Sequence, residues 1–163
     1  MKNNIKKIVL SGVVATSLVG SALMADDDKV GFGVSVAGDD TTKIRADFQI
    51  EDDFRLEPYI GFDYTIPDQG DDSYTMMVGT GAHFLKEVSN DTLAYYGAYA
   101  ELIQSDDGTN SDTQFGLGPV VGVEYSFAKD FSIGAEASLK MTFGDSSKLE
   151  TASAILFRYY LDD

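Results

Sequence analysis

Charged residues recur at every second position in several segments of the sequence. Lys43, Arg45 and Asp47 have this spacing, and Arg55 and Glu57 repeat it. Residues two apart in an extended strand lie on the same face, so cations and carboxylates placed in this way can pair. The residues that share the pattern are Lys43, Arg45, Asp47, Arg55, Glu57, Asp63, Glu101, Glu124, Glu136, Lys140, Glu150 and Arg158. The spacing predicts a paired charge network, because an unpaired buried charge is strongly destabilising.

The composition limits the catalytic chemistry that is available. The sequence has no Cys and a single His, His83, which excludes thiolate zinc sites, cysteine nucleophiles and any site that needs two histidines. A His–Ser–acid hydrolase site would need a serine beside His83, and residues 81–84 offer none on the same strand face. We therefore predict no catalytic residue, no enzymatic activity and no cofactor. We expect His83 to be satisfied by hydrogen bonds within the charge network.

One acidic segment has part of the pattern of a calcium loop. Asp106, Asn110 and Asp112 have the alternate spacing of calcium ligands, but Leu117 stands where the closing glutamate of such a loop belongs. We predict no specific metal site. The acidic residues with a weaker potential to bind divalent cations are Asp68, Asp71, Asp72, Asp106 and Asp112.

Length and charge bound the domain organisation. The chain has 163 residues, 12 Lys+Arg and 27 Asp+Glu, a net charge of -15, which argues against a nucleic-acid partner. Residues 1–25 combine three lysines with an apolar stretch and predict a cleaved secretory signal peptide, with an uncleaved anchor helix as the alternative. Cleavage after Ala25 leaves residues 26–163 as one domain, and cleavage after Ala22 is the alternative. Since three of the 12 basic residues precede it, that domain carries nine basic and 27 acidic residues, a net charge of -18.

Strict alternation of apolar and polar residues predicts strands over the whole domain, and no segment has a helical period. The predicted strands are eight in number and span about Val30–Ala37, Thr42–Ile50, Phe54–Thr65, Tyr74–Leu85, Thr92–Gln104, Thr113–Phe127, Phe131–Phe143 and Lys148–Leu161. One face of every strand is free of charge, and the other carries the network residues. A soluble β-sandwich or ligand-binding barrel would turn the apolar face inward, whereas a transmembrane barrel turns it outward.

Aromatic spacing and loop lengths favour the transmembrane barrel. Aromatic residues recur at intervals of ten or twelve on the apolar face of four strands, at Phe54, Tyr64, Tyr74, Phe84, Phe115, Tyr125, Phe131 and Phe143. Ten residues of a tilted strand rise about 25 Å, the height of the apolar band of such barrels, so we predict two aromatic girdles. The predicted connections alternate between longer acidic loops and tight turns, as in outer-membrane barrels. Pro58 and Pro119 fall within strands, where we expect β-bulges; a sandwich would accommodate them more easily.

The pattern from Val30 to Leu161 resembles the small eight-stranded outer-membrane barrels, of the OmpA transmembrane domain, OmpX and opacity-protein type. The resemblance implies an all-β, antiparallel, up-and-down transmembrane β-barrel in the outer membrane of a Gram-negative bacterium. It implies a non-enzymatic structural or surface-interaction role for a monomer with acidic external loops. The implied partners are outer-membrane lipid, lipopolysaccharide and the barrel-assembly machinery.

The interior of an eight-stranded barrel is only wide enough for side chains to fill it. We therefore predict that the charge network plugs the lumen, with a narrow pore for ions or small solutes as the alternative. Glycines of the same face are expected to make room for long side chains; they are Gly31, Gly33, Gly79, Gly81, Gly116, Gly118 and Gly122.

Overall fold

The computed structural model describes residues 29–38, 41–65, 73–106, 110–144 and 147–161. The predicted signal peptide lies outside these residues. Among them, no helix is both long and apolar enough to cross a membrane.

Eight antiparallel strands form a closed barrel in sequence order, and the first strand pairs with the last. Their bounds are β1 Lys29–Ala37, β2 Thr42–Glu51, β3 Phe54–Thr65, β4 Ser73–Ser89, β5 Thr92–Asp106, β6 Ser111–Ala128, β7 Phe131–Phe143 and β8 Lys148–Leu161. The predicted number of strands and their order are confirmed. Because β1 hydrogen-bonds to β8, the sheet has no free edge.

Three central strands are longer than the sequence pattern indicated. The segment 86–91 was expected to be a turn, but β4 continues to Ser89 and pairs with β5 through Glu87 opposite Leu93. Strand β5 likewise reaches Asp106, and β6 begins at Ser111. Most residues of these extensions are polar, so the apolar alternation is too weak there to reveal a strand, although the hydrogen-bonded ladder continues.

The two ends of the barrel differ in their connections, as predicted. At one end, hereafter the turn end, each connection has two residues: 52–53, 90–91 and 129–130. A register shift precedes each of these turns. The carbonyl of the Asp at the second turn position accepts a 2.8 Å hydrogen bond from a neighbouring strand, and the bonds join Leu85 to Asp53, Ser126 to Asp91 and Tyr160 to Asp130. At the other end, hereafter the loop end, the connections have four to seven residues.

The expectation of β-bulges at the two prolines is wrong. On either side of Pro58, β2 and β3 keep one register, with Arg45 opposite Tyr59 and Phe48 opposite Leu56. The pairing of β2 with β3 is interrupted opposite Pro58 and resumes without an inserted residue. Pro58 remains in register with Thr80 of β4. Proline removes one donor, and the closed barrel tolerates that loss because pairing to the other neighbour is intact.

The same interruption occurs at Pro119, between β6 and β7. Here the preceding residue is Gly118, and a Cβ added to it would lie 1.7 Å from the carbonyl oxygen of Leu139. The two backbones therefore approach so closely at the break that only glycine fits.

The apolar face of the barrel points outward. Phe32, Val121 and Ile155 are 51%, 56% and 54% exposed, whereas Glu57 and Arg158 are 0% and 2% exposed. This orientation confirms the predicted transmembrane barrel and overturns the sandwich, in which the apolar side chains would form a dry core.

Candidate functional site

The lumen holds two groups of ion pairs. The first, the arginine cluster, consists of Arg45, Arg55, Arg158, Asp47, Glu57, Glu124 and Glu136. The second, the lysine cluster, consists of Lys43, Lys140 and Glu101. Six strands supply these residues, each from the charged face that alternation assigns to the inside.

Arg158 is the centre of the arginine cluster. Its guanidinium lies 2.7 Å from Glu57 Oε2, 2.8 Å from Glu124 Oε2 and 3.2 Å from Asp47 Oδ2. Its side chain is 1% exposed. One cation therefore joins carboxylates from β2, β3 and β6 and ties the strands together through the lumen.

Arg45 links Glu57 to the opposite wall of the barrel. It donates to Glu57 Oε1, to the two oxygens of Glu136 at 3.2 and 3.3 Å, and to Ser35 Oγ at 2.9 Å. Glu57 thus accepts from Arg45 with one oxygen and from Arg158 with the other. No oxygen of this wholly buried carboxylate is left without a cation.

Tyrosine hydroxyls complete the cluster. Tyr160 and Ser132 donate to Glu124 at 2.5 and 2.6 Å, and Tyr95 donates to Glu136 at 3.1 Å. The Tyr95 ring also lies 5.1 Å from the Arg55 guanidinium carbon and 5.6 Å from that of Arg158, within the range of a cation–π interaction.

The charge pattern alone does not place these two tyrosines in the lumen. The signal was present, because Tyr160 shares the parity of Arg158 in β8, and Tyr95 that of Glu101 in β5. Tyrosines on the charged face of a strand point into the lumen just as the charged residues of that face do.

The lysine cluster lies nearer the loop end. Lys140 and Lys43 lie 2.8 and 3.3 Å from the two oxygens of Glu101, and Tyr59 donates to the same carboxylate at 2.8 Å. The side chains of Lys140 and Lys43 are 16% and 17% exposed, so they form the outer surface of the lumen packing.

Two residues of the predicted network lie apart from both clusters. Glu150 pairs with Lys148 at 2.5 Å, and these side chains are 42% and 65% exposed. Asp63 is half-buried and makes no ion pair with any described residue. Both lie towards the loop end. The twelve residues of the predicted network comprise five cations and seven carboxylates. When Asp63 and Glu150 are left out, the two clusters hold five cations and five carboxylates, so their net formal charge is zero.

His83 lies in the lumen on the face that the sequence predicts, but the hydrogen bond expected for its Nδ1 is not formed with any described residue. The side chain is 2% exposed. Its ring packs 5.1 Å from the Tyr95 ring. The strand face of His83 is predictable from parity, whereas its contacts within the lumen are not.

The lumen glycines make room for particular side chains, as predicted. A Cβ added to Gly122 would lie 2.2 Å from Tyr95 Cζ, and one added to Gly79 would lie 2.7 Å from Tyr59 Cζ. A Cβ at Gly116 would lie 2.9 Å from Glu101 Cγ. The large polar side chains and the glycines opposite them are therefore complementary in volume.

The Gly122→Ala substitution is expected to destabilise the barrel by about 1–3 kcal/mol, the usual cost of overpacking. The added methyl forces Tyr95 away from Glu136 and from the two arginines. Urea unfolding of the folded protein in detergent measures the change. Gly38→Ala is the matched control, since its Cβ would lie 3.5 Å from its nearest neighbour, an ordinary contact. Equal stabilities of the two variants would contradict this account of the glycines.

The aromatic residues of the outer face form levels around the barrel. Phe54 pairs with Phe84 and Tyr64 with Tyr74, so the ten-residue intervals on β3 and β4 begin and end together. Phe115 lies opposite Phe143, and Tyr125 and Phe131 lie near the turn end. The Tyr64 side chain is outside the described part of the structure.

Ring contacts are concentrated at the turn end. Phe84 contacts Phe54 at 5.4 Å and Tyr96 at 5.7 Å between ring centroids. Phe131 contacts Phe127 at 6.2 Å and Tyr159 at 4.9 Å. The aromatic level at the turn end therefore also includes three residues that the ten- and twelve-residue intervals did not identify: Tyr96, Phe127 and Tyr159.

The acidic loop residues form no cation site in the part of the chain that the structure describes. Asp112 accepts a 2.6 Å hydrogen bond from the Gln114 amide, and Asp106 lies opposite Tyr74 in the β4–β5 ladder. Asp68, Asp71 and Asp72 lie outside the described residues.

A small cavity remains in the lumen, between the two clusters. Its volume is about 40 Å³, room for about three water molecules. Polar residues of the lining are Lys43, Arg45, Glu57, Tyr59, His83, Tyr99, Glu136, Ser138 and Lys140. Beyond it, towards the turn end, Arg55, Tyr95 and Arg158 fill the cross-section, each 2% exposed.

Comparison with known proteins agrees with this architecture. No family model and no curated protein matches the chain. The crystal structure of Neisserial surface protein A matches with a TM-score of 0.59 at 15% identity, over 83% of this chain and 94% of that one. A major outer membrane protein from Thermus thermophilus matches with a TM-score of 0.50 at 12% identity, over 82% and 99%. The chain has the fold of the small eight-stranded outer-membrane barrels.

The de novo designed protein TMB2.3 also matches this barrel, with a TM-score of 0.50 at 17% identity, over 86% of this chain and all of that one. A designed sequence and natural ones thus share one backbone arrangement. At identities this low the likeness concerns the fold alone, so the function of the barrel has to be argued from its own lumen and surface.

Proposed function

We propose that this chain is a non-enzymatic outer-membrane barrel with a sealed lumen, which serves as a structural or surface-interaction protein. The observation that carries the proposal is the buried arginine cluster across the lumen, surrounded by an outward apolar face. The cluster supports a plug, and the apolar face supports a lipid environment.

The contacts within the clusters favour a plug over an open channel. Arg158 holds three carboxylates on strands β2, β3 and β6, and Arg45 holds Glu57 and Glu136. An ion that passed would have to break several of these pairs at once, and each broken pair would leave a buried charge without its partner. The adjacent cavity holds only a few water molecules, and Arg158, which is 2% exposed, is not part of its lining.

The lumen supports no hydrolytic role. His83 is walled in beside Tyr95, and none of its described neighbours in the cavity is arranged as a nucleophile activated by it. A nucleophile within hydrogen-bond reach of its base is the minimum for acyl transfer. Binding and support are therefore the roles that the geometry favours.

The outer surface suggests the partners. The aromatic levels fit the two interfaces of an outer membrane, with lipopolysaccharide as the lipid of the outer leaflet. The loops outside carry Asp39, Asp40, Asp68, Asp71, Asp72 and Asp107, and divalent cations could bridge such carboxylates to lipid phosphates. We further propose export by a cleaved signal peptide, insertion by the barrel-assembly machinery and function as a monomer.

The protein refolded into planar lipid bilayers is expected to show no steady single-channel conductance, because the clusters close the lumen. Folding is checked in the same sample by the faster gel mobility of the unheated barrel. The matched variant is Tyr95→Ala, which removes a buried ring that packs against two arginines and is expected to produce intermittent conductance.

Steady unitary steps in the wild-type protein that disappear in Lys140→Gln would contradict the sealed lumen. They would establish instead a narrow pore for ions or small solutes, with the lysine cluster as its outer filter. Such a result would require a lumen cavity larger than the 40 Å³ that the structure shows.

A further inference from the structure

Glu57, His83 and Glu136 meet at the lumen cavity. One imidazole nitrogen and one oxygen of each carboxylate lie within 4.8 Å of one another, and all three side chains line the cavity. His83 is 2% exposed, and its Nδ1 lacks a hydrogen-bond partner among the described residues. Buried polar atoms are almost always satisfied by protein, water or an ion. We propose that these three residues bind one divalent transition-metal ion, with Zn²⁺ as its representative.

The donor set decides the class of ion. Zn²⁺ accepts imidazole nitrogens and carboxylate oxygens as ligands, and an imidazole ligand favours Zn²⁺ and related transition metals. Ca²⁺ and Mg²⁺ are bound by oxygen ligands, often six or more. A site built around the one histidine of the chain should therefore bind Zn²⁺ in preference to Ca²⁺. The loop aspartates, which offer only oxygen ligands, should show no such preference against Ca²⁺.

The distances indicate which ligand moves. Zinc bonds of about 2.0–2.1 Å place neighbouring tetrahedral ligands about 3.4 Å apart, so the three groups must draw together. Glu57 is fixed by Arg158 at 2.7 Å and is not exposed. Glu136 accepts longer hydrogen bonds, from Arg45 at 3.2 and 3.3 Å and from Tyr95 at 3.1 Å, and its side chain is 11% exposed. Glu136 therefore turns towards the ion, and the cavity beside it leaves room for this movement.

Charge balance limits the affinity for the ion. The arginine cluster has three guanidiniums and four carboxylates, and its one excess negative charge is offset by the lysine cluster, which has two ammonium groups and one carboxylate. When Glu136 turns to the ion, Arg45 keeps its bonds to Glu57 and Ser35. Arg45 and the ion then share Glu57, and their repulsion makes the binding moderate rather than tight.

His83 is the only histidine in the sequence, which makes the test direct. The chain is prepared without a polyhistidine tag, labelled with ¹⁵N, refolded in detergent and titrated with ZnCl₂. Its imidazole nitrogen signals can come only from His83. One of them is expected to shift and to saturate at one Zn²⁺ per barrel, while CaCl₂ at the same concentration leaves both unchanged.

Glu136→Gln is the decisive variant, because it keeps the shape of the side chain and removes the charge. It is expected to weaken the zinc-dependent shift about tenfold or more. Glu150→Gln, which removes an exposed carboxylate outside both clusters, is the matched control and should bind as the wild type does. An imidazole signal that stays unchanged at saturating ZnCl₂ would overturn the proposal and assign any zinc binding to the loops. A shift of equal size and affinity in Glu136→Gln would also overturn it, because Glu136 would then not be a ligand.

Discussion

The Arg158→Met variant is expected to lose about 3–5 kcal/mol of unfolding free energy, the range measured when one partner of a buried ion pair is removed. Methionine replaces the aliphatic part of the arginine side chain but leaves Asp47, Glu57 and Glu124 without the cation that they share. Asp47 would then depend on Arg55 alone, at 3.9 Å. Urea unfolding in lipid vesicles, followed by circular dichroism and by gel mobility, measures the loss; the chain has no Trp to report by fluorescence.

Lys148→Met is the matched control for Arg158→Met. It breaks an ion pair of 2.5 Å whose side chains are 65% and 42% exposed, and exposed pairs contribute about 0–1 kcal/mol. Adding Asp47→Asn to Arg158→Met should recover part of the loss, because it removes one of the stranded charges. Similar losses in Arg158→Met and Lys148→Met would show that the lumen is hydrated and that the plug is not a stabilising element.

Much of this fold is predictable because alternation is imposed by geometry. In β2, Lys43, Arg45 and Asp47 share one parity, and a strand has only two faces. The aromatic intervals then decide which face meets lipid, and the registers of β3 and β4 keep those intervals level. What alternation does not show is where a polar strand ends. The extension of β4 to Ser89 lies beyond the apolar band, and Val88 is its one apolar residue.

The partners within the lumen could not be predicted in the same way. Parity places a side chain inside the barrel but gives neither its height nor the strand it faces. The pairs Arg45–Glu136 and Arg158–Glu57 cross the lumen between residues 91 and 101 positions apart, and they depend on the tilt and stagger with which the sheet closes. Glu150 shares the parity of Arg158 and still lies outside the clusters, because it is nearer the loop end of β8.

The substitution Val121→Arg tests the outward face, and it is expected to destabilise the membrane-folded barrel by about 2–4 kcal/mol. Val121 is 56% exposed and lies between the girdle residues Phe115 and Tyr125 on β6, near the middle of the apolar band. A guanidinium at that depth must be taken into hydrocarbon or drag water and headgroups to it. The free energy is measured by urea unfolding of the barrel in phospholipid vesicles.

The matched control is Val88→Arg, the same change at a site with 64% exposure that lies past Phe84 at the turn end. Near the interface the cost falls to about 0–1 kcal/mol. The contrast separates depth from exposure, because both valines are open to the surroundings and only one should lie in hydrocarbon. If the two arginines were tolerated equally, the outer face would be in contact with water, and the apolar side chains of all eight strands would need another explanation.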